Sequence, residues 1–265
     1  MADTKKLTVL GGSSIASPML IQKILSRKDR PPFEVCLVGR TKSKLEKVAA
    51  TSSALAEDAD IPLKITHETN LEKGLTGADY ILNQIRVGGY KARAYDERFP
   101  KQFGILGEET FGPGGMNNAK RTIPVVLKYC KAIEQYAPDA LVLNLTNPNS
   151  FIQYAVVRYS RVNIVGVCDS PIGIGEGIAK MLSVPYEELW IQYVGMHHFG
   201  WVTRAFHKGV DMMPAILEKL SGVPGLPVDP EIARAVGGIP TSYFKYYYHS
   251  NRVFETQSKQ KKVRG

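Results

Sequence analysis

The chain has 265 residues, 44% of them apolar, and its 34 Lys and Arg outweigh 25 Asp and Glu to give a formal charge of +9. That length supports a large core in one large or two smaller domains, and no apolar run approaches the length of a membrane span. Cys36, Cys130 and Cys168 are too few, and odd in number, for a disulfide framework, so a reducing cytoplasmic setting is expected.

Met1 to Lys6 leads into a strand without an apolar export segment. Leu7–Leu10 reads as a short buried strand, followed by Gly11-Gly12-Ser13-Ser14. Ser17 suits a helix N-cap and Pro18 the first helical position, with Met19, Leu20, Ile24 and Leu25 recurring at helical spacing. Phe33–Val38 is a second strand, and Lys44–Leu55 suits a helix. Leu63–Thr66 and Tyr80–Leu82 read as the next strands, and Asn117–Tyr136 as a long helix. Ala140–Leu145 and Asn163–Val167 complete six strands, with a helix from about Phe151 between them. Continuously apolar strands alternating with helices predict a parallel, doubly wound α/β sheet of Rossmann type. Its ligand-bearing turns should lie along one edge, where such sheets bind ligands.

From Trp190 the pattern changes to dense aromatics, glycines and prolines. Val194–Val210 resembles antiparallel strands, Ser221–Pro227 a loop, and Tyr243–Tyr248 the start of a helix. The expected division is therefore a dinucleotide-binding domain over 1–190 and an α+β substrate or oligomerisation region over 191–265. The second region reads as incomplete, with no C-terminal helix to close its core. The lysines are scattered, and the densest basic cluster is Lys259–Arg264 at the end. No nucleic-acid or membrane partner is expected; the positive field suits a phosphorylated small substrate.

Gly11, Gly12, Ser13 and Ser14 stand where a dinucleotide's pyrophosphate approaches the backbone, although the usual three-glycine spacing is not met: the second position is Ser13 and the third Ala16. The acidic residue that would hold an adenosine ribose after the second strand is replaced by Arg40, which can pair with a 2′-phosphate. NAD is the expected cofactor, with NADP as an alternative. Arg86 and Arg93 bracket a glycine turn and offer planar forks for phosphate or carboxylate. Gly104–Met116 reads as an active-site loop, and Asn144-Leu145-Thr146-Asn147-Pro148 carries amides at the end of the fifth strand. Cys168 followed by Asp169, with His197-His198 downstream, offers a thiolate and imidazoles to a divalent transition metal and a carboxylate for acid–base work. Taken singly, the thiol also suits a buried core position and the histidines structural ones.

Several ordered blocks resemble glycoside hydrolase family four: Gly11–Ser14, Ile85–Gly88, Arg93–Glu97, Gly107–Gly115, Asn144–Pro148, Cys168–Pro171, His197–Trp201 and Thr241–Tyr247. The resemblance covers essentially the whole chain. It implies an NAD- and Mn²⁺-dependent (or other divalent metal) hydrolase of 6-phospho-glucosides, β favoured over α, outside the usual two-carboxylate logic. It implies metal ligands at Cys168 and His198, a C2 base at Tyr243 and an acid at Asp169. Arg93, Glu109 and Asn147 match substrate-side positions, and Asn144 the cofactor side. A homodimer or homotetramer is expected.

Two departures stand out. His197 occupies a place where many members carry Asn, and the family continues beyond Gly265, which reads as truncation. The alternatives are a lactate- or malate-type 2-hydroxy-acid dehydrogenase, which shares the sheet and an Asn-Pro turn, and an inactive dinucleotide-binding fragment.

Overall fold

The computed structural model describes residues 4–57, 59–222 and 226–259. The chain forms two compact units. The first comprises the chain up to Tyr95 together with Glu109–Val167; the second comprises Asp96–Glu108 and the chain from Cys168.

In the first unit, β1 (Lys5–Leu10), β2 (Phe33–Val38), β3 (Leu63–Glu68), β4 (Tyr80–Asn83), β5 (Leu141–Asn144) and β6 (Ile164–Gly166) form one six-stranded sheet in the order β3-β2-β1-β4-β5-β6. Every pairing is parallel. The helices are α1 (Ala16–Leu25), α2 (Lys42–Ala56), α3 (Leu71–Leu75), α4 (Gly89–Arg98, which crosses the unit boundary), α5 (Gly112–Tyr136) and α6 (Asn149–Tyr159). The apolar strands feed two cores because alternate side chains leave opposite faces. Val9, Val35 and Leu37 pack with Ile21 and Leu45 on the α1–α2 face. Leu10, Cys36 and Val38 pack with Val126, Cys130 and Ile152 on the α5–α6 face. The fold is the doubly wound one expected from the strand pattern, and the strand order reverses between β1 and β4, where such sheets open a ligand crevice.

Several local expectations are corrected. Helix α1 starts at Ala16, not after Ser17, because the glycine turn already winds into it: Ser14 N–H donates to Gly11 O and Ser17 N–H to Ser14 O. Ser17 is buried within the helix, its hydroxyl donating to Gly12 O at 2.9 Å. The loop expected over 104–116 is shorter, since α5 begins at Gly112 with Pro113 in its first turn. Arg93 lies on α4 rather than on a flexible turn. Strand β6 is the edge strand of its sheet, and Val165 is 43% exposed, so its apolar run is not fully buried.

The second unit contains α7 (Ser170–Leu182), β7 (Leu189–Met196), β8 (Phe199–His207), β9 (Val210–Asp211), α8 (Met213–Lys219), α9 (Pro230–Val236), β10 (Ile239–Pro240), α10 (Lys245–Tyr248) and α11 (Ser250–Lys259). Strands β10, β8 and β7 lie side by side and β9 joins β8, all antiparallel. The core gathers Ile178, Val202, Ala205, Ile216, Ala233 and Phe244. Ile178 shows why the compact units divide at 167/168: α7 buries its apolar face with the second unit's strands and helices. The segment expected to lack a helix forms α11, none of whose residues is buried. The basic cluster past Lys259 and residues 223–225 of the expected loop lie outside the described residues. Among the described residues no helix is long and apolar enough to cross a membrane.

Candidate functional site

The turn after β1 is shaped for close backbone approach. Gly11 sits at φ +86°, where only glycine is unstrained, and a side chain on Gly12 would stand 2.8 Å from the Cα of Leu37. Helix α1 starts from this turn with no acidic residue in its first turn, and its N-cap residue, Ile15, has no polar side chain to offer. Its positive end is left to an anion, which fits a dinucleotide's pyrophosphate. Ser14 Oγ accepts from Ala16 N–H at 3.2 Å, and Ser13 faces Gly39 at the end of β2. Arg40, one residue further, is exposed, as a contact with an incoming phosphate would require.

At the ends of β4 and β5, Asn83 Nδ2 donates to Asn144 Oδ1 at 2.8 Å. Asn144 Nδ2 donates in turn to Thr146 O and Asn149 Oδ1. Asn144 is fully buried, so its side chain braces the turn rather than reaching a bound molecule. That turn carries a cis peptide bond at Asn147-Pro148. Asn147, half-buried, offers a side-chain amide that no described residue hydrogen-bonds, while its carbonyl accepts from Asn118 Nδ2 at 3.3 Å. The same Asn118 amide group donates to Glu109 O at 3.0 Å, tying the two candidate substrate segments together.

Glu109 is 5% exposed and pairs with two arginines: Arg86 Nη1 lies 2.7 Å from one carboxylate oxygen and Arg93 Nη1 3.4 Å from the other. The expected substrate residues Arg93 and Glu109 are thus in contact. Arg86 completes the cluster, and Asn118 was invisible in sequence because it sits inside an otherwise ordinary helical pattern. A buried carboxylate needs such partners, since a lone buried charge is costly.

The second cluster lies wholly within the second unit. Cys168 sits at the entrance of α7, where Ser170 N–H donates to its Sγ at 3.4 Å. Asp169 is exposed beside it, its Oδ1 3.7 Å from that sulfur. His197 and His198 form the turn of the β7–β8 hairpin, between the paired residues Met196 and Phe199. His198 adopts φ +65°, an uncommon conformation for a side-chain-bearing residue. Its carbonyl accepts from Thr241 Oγ1 at 2.6 Å, and Thr241 N–H donates to Gly200 O, which fastens the hairpin tip to the segment after β10. Two residues later, Tyr243 stacks its ring on His198 with centroids 4.2 Å apart.

One ligand atom from each of Cys168, His197 and His198 lies within 4.8 Å of the other two. Burial, with the neighbouring His198 adding to it and Asp169 opposing, pushes His197 down to about 4, so its ring is neutral near neutral pH. The Nδ1 of His197 is buried and has no hydrogen-bond partner among the described residues. A thiol, two imidazoles and an unsatisfied buried nitrogen fit a divalent transition metal. The structure therefore brings together Cys168, Asp169, His198 and Tyr243, and adds His197.

The model of the family 4 glycosyl hydrolases matches residues 6–184, and that of their C-terminal domain matches residues 193–265. A probable 6-phospho-beta-glucosidase of Bacillus subtilis is 33% identical over 98% of this chain and 62% of its own. A 6-phospho-alpha-glucosidase of Leptotrichia buccalis is 31% identical over 94% of this chain and 61% of its own. The solved 6-phospho-beta glucosidase of Thermotoga maritima, with manganese, NAD⁺ and glucose-6-phosphate, superposes with a TM-score of 0.88 at 28% identity, covering 97% of this chain and 62% of that one. The chain thus spans about three fifths of the length of these curated relatives.

Proposed function

Because the chain belongs to the family 4 glycosyl hydrolases, we propose that the whole protein hydrolyses a 6-phospho-glucoside, the β-linked form favoured over the α-linked, with NAD and Mn²⁺ or another divalent metal. The gathering of Cys168, His198 and Tyr243, the last stacked at 4.2 Å, is the observation that carries this reading. A 2-hydroxy-acid dehydrogenase has no use for that cluster, and family membership sets that alternative aside.

When bound, the nicotinamide would supply reversible hydride removal at C3 of the sugar and the metal would polarise the C3 oxygen, which acidifies the proton on C2. Gly11, Gly12, Ser13 and Ser14 would hold the pyrophosphate through backbone and hydroxyl groups at the start of α1. Cys168 and His198 would hold the metal. The Tyr243 hydroxyl would take the C2 proton, a weak base made effective by a nearby cation. Asp169 would protonate the C1 leaving group. Arg93 and Asn147 would orient the sugar, with Glu109 fixing the fork of Arg93 and Asn144 bracing the turn that presents Asn147. Water would add to the enone left by elimination, and because the hydride chemistry that the nicotinamide would supply is reversible, no net redox change would be expected.

The relatives carry both β- and α-glucosidase names, so the anomer is decided by assay. Paired α and β nitrophenyl 6-phosphoglucosides, tested with NAD and Mn²⁺ added and omitted, should release nitrophenol only with both additions and without NADH accumulating. Stoichiometric NADH would overturn the reading. Sedimentation checks the homodimer or homotetramer that this reading expects.

A further inference from the structure

We propose that His197 is a third protein ligand of the divalent ion, so that this chain holds it through one thiolate and two imidazoles; the proposal rests on the reading that Cys168 and His198 bind that ion. The motivation is geometric. In a continuous strand, neighbouring residues point to opposite faces, and His197 would turn away from whatever His198 binds. Here the strand does not continue: the two histidines are themselves the hairpin turn, and His198 reverses the chain at φ +65°. The two rings therefore lie on the same side, stacked with centroids 3.7 Å apart and planes at 27°.

The donor separations fit one ion. Ligand atoms at the usual metal–nitrogen and metal–sulfur lengths stand about 3.5 Å apart around a tetrahedral centre. The three side chains already offer atoms within 4.8 Å of one another, so ordinary rotamer adjustment closes the site. The buried Nδ1 of His197, like that of His198, meets no hydrogen-bond partner among the described residues. A buried polar nitrogen without a partner calls for an explanation, and a ligand is one.

The set has a chemical consequence. Two imidazoles and a thiolate are borderline-to-soft donors, which favour later first-row ions such as Co²⁺ and Zn²⁺ over Mn²⁺. His197 should therefore raise affinity for Zn²⁺ and Co²⁺ more than for Mn²⁺.

The test uses the chelator-stripped 265-residue chain, titrated with Co²⁺ and then with Zn²⁺ or Mn²⁺ in competition. Wild type, His197→Asn, His197→Phe and Cys168→Ser are compared. Phe keeps a ring to stack on His198 and removes only the nitrogens, so it separates ligation from packing. Wild type should show a thiolate-to-cobalt charge-transfer band that Cys168→Ser abolishes. Both His197 variants should keep that band, change the ligand-field bands, and bind Co²⁺ roughly tenfold or more weakly, since even outer-shell partners of a metal site cost that much. X-ray absorption of the cobalt protein should count two imidazoles in wild type and one in His197→Phe. Unchanged affinity and ligand-field bands in His197→Phe, with the thiolate band lost in Cys168→Ser, would leave His197 a packing residue and overturn the proposal alone. Absence of the thiolate band in wild type would remove the underlying metal reading and the proposal with it.

Discussion

The two units present their chemistry in different ways. In the first, the glycine turn, the Asn144–Pro148 turn and the Glu109 cluster follow regular elements, and the parallel sheet brings the ends of β1, β4 and β5 together. In the second, the clustered side chains sit where regular structure stops: Cys168 at a helix entrance, His197 and His198 in a hairpin turn, Tyr243 in a short 3-10 turn. A parallel sheet positions its turns by register, and what those turns must keep is room for close packing. A hairpin tip positions its side chains by the backbone angles of one or two residues, which it holds through a few specific bonds such as that from Thr241 to the His198 carbonyl. The first kind of site should fail through packing, the second through chemistry.

The largest effect that would sharpen this contrast belongs to the second unit. In the whole enzyme, Tyr243→Phe keeps the ring on His198 and removes one hydroxyl, so turnover should fall roughly 10²–10⁴-fold with thermal stability unchanged. Loss of solvent exchange at C2 should accompany it; exchange at the wild-type rate would remove Tyr243 from its role.

A packing failure is expected in the first unit. Gly12→Val forces a side chain into a backbone already 2.8 Å from the added Cβ, which should cost about 1–3 kcal/mol. NAD binding should weaken with it, while Co²⁺ binding at the hairpin persists. Loss of both together, measured by calorimetry on the same sample, would contradict the separation of the two sites.

The thiols offer a third discrimination. Cys36 and Cys130 lie in the first unit's cores at 2% exposure, where burial raises both thiols, Cys130 to about 11. A thiol with a raised value has less of the reactive thiolate at neutral pH. An alkylating reagent at pH 7 should therefore modify the half-buried Cys168 alone, and Zn²⁺ should protect it. Mass spectrometry that finds Cys36 or Cys130 labelled first would break the contrast.

The smallest effect concerns Arg40, which is exposed. Arg40→Ala should reduce NADP affinity several-fold and leave NAD nearly unchanged, in line with about 0–1 kcal/mol for an exposed ion pair. Equal titration curves for both cofactors in both proteins would leave Arg40 without a part in cofactor choice.

The first unit is largely legible in the sequence. Apolar runs of strand length fix buried parallel strands because each face needs its own apolar side chains, and the glycines after β1 mark the one turn that must lie close to β2. The helix boundaries were less legible: Ser17 carries the signature of a cap, but the preceding turn already supplies helical bonds, so its hydroxyl goes to Gly12. In the second unit, resemblance pointed to Cys168, His198 and Tyr243, yet no periodicity links residues so far apart.

What the sequence by itself determined is the parallel sheet, its glycine turn and the kinds of donor present, because these follow from local pattern and side-chain chemistry. Only the tertiary structure decided that α7 joins the second core, that Glu109 lies between Arg86 and Arg93, and that His197 shares a side with His198. Each of these depends on where the chain reverses, and a reversal set by one residue's φ, as at His198, leaves no mark in the spacing of the side chains around it.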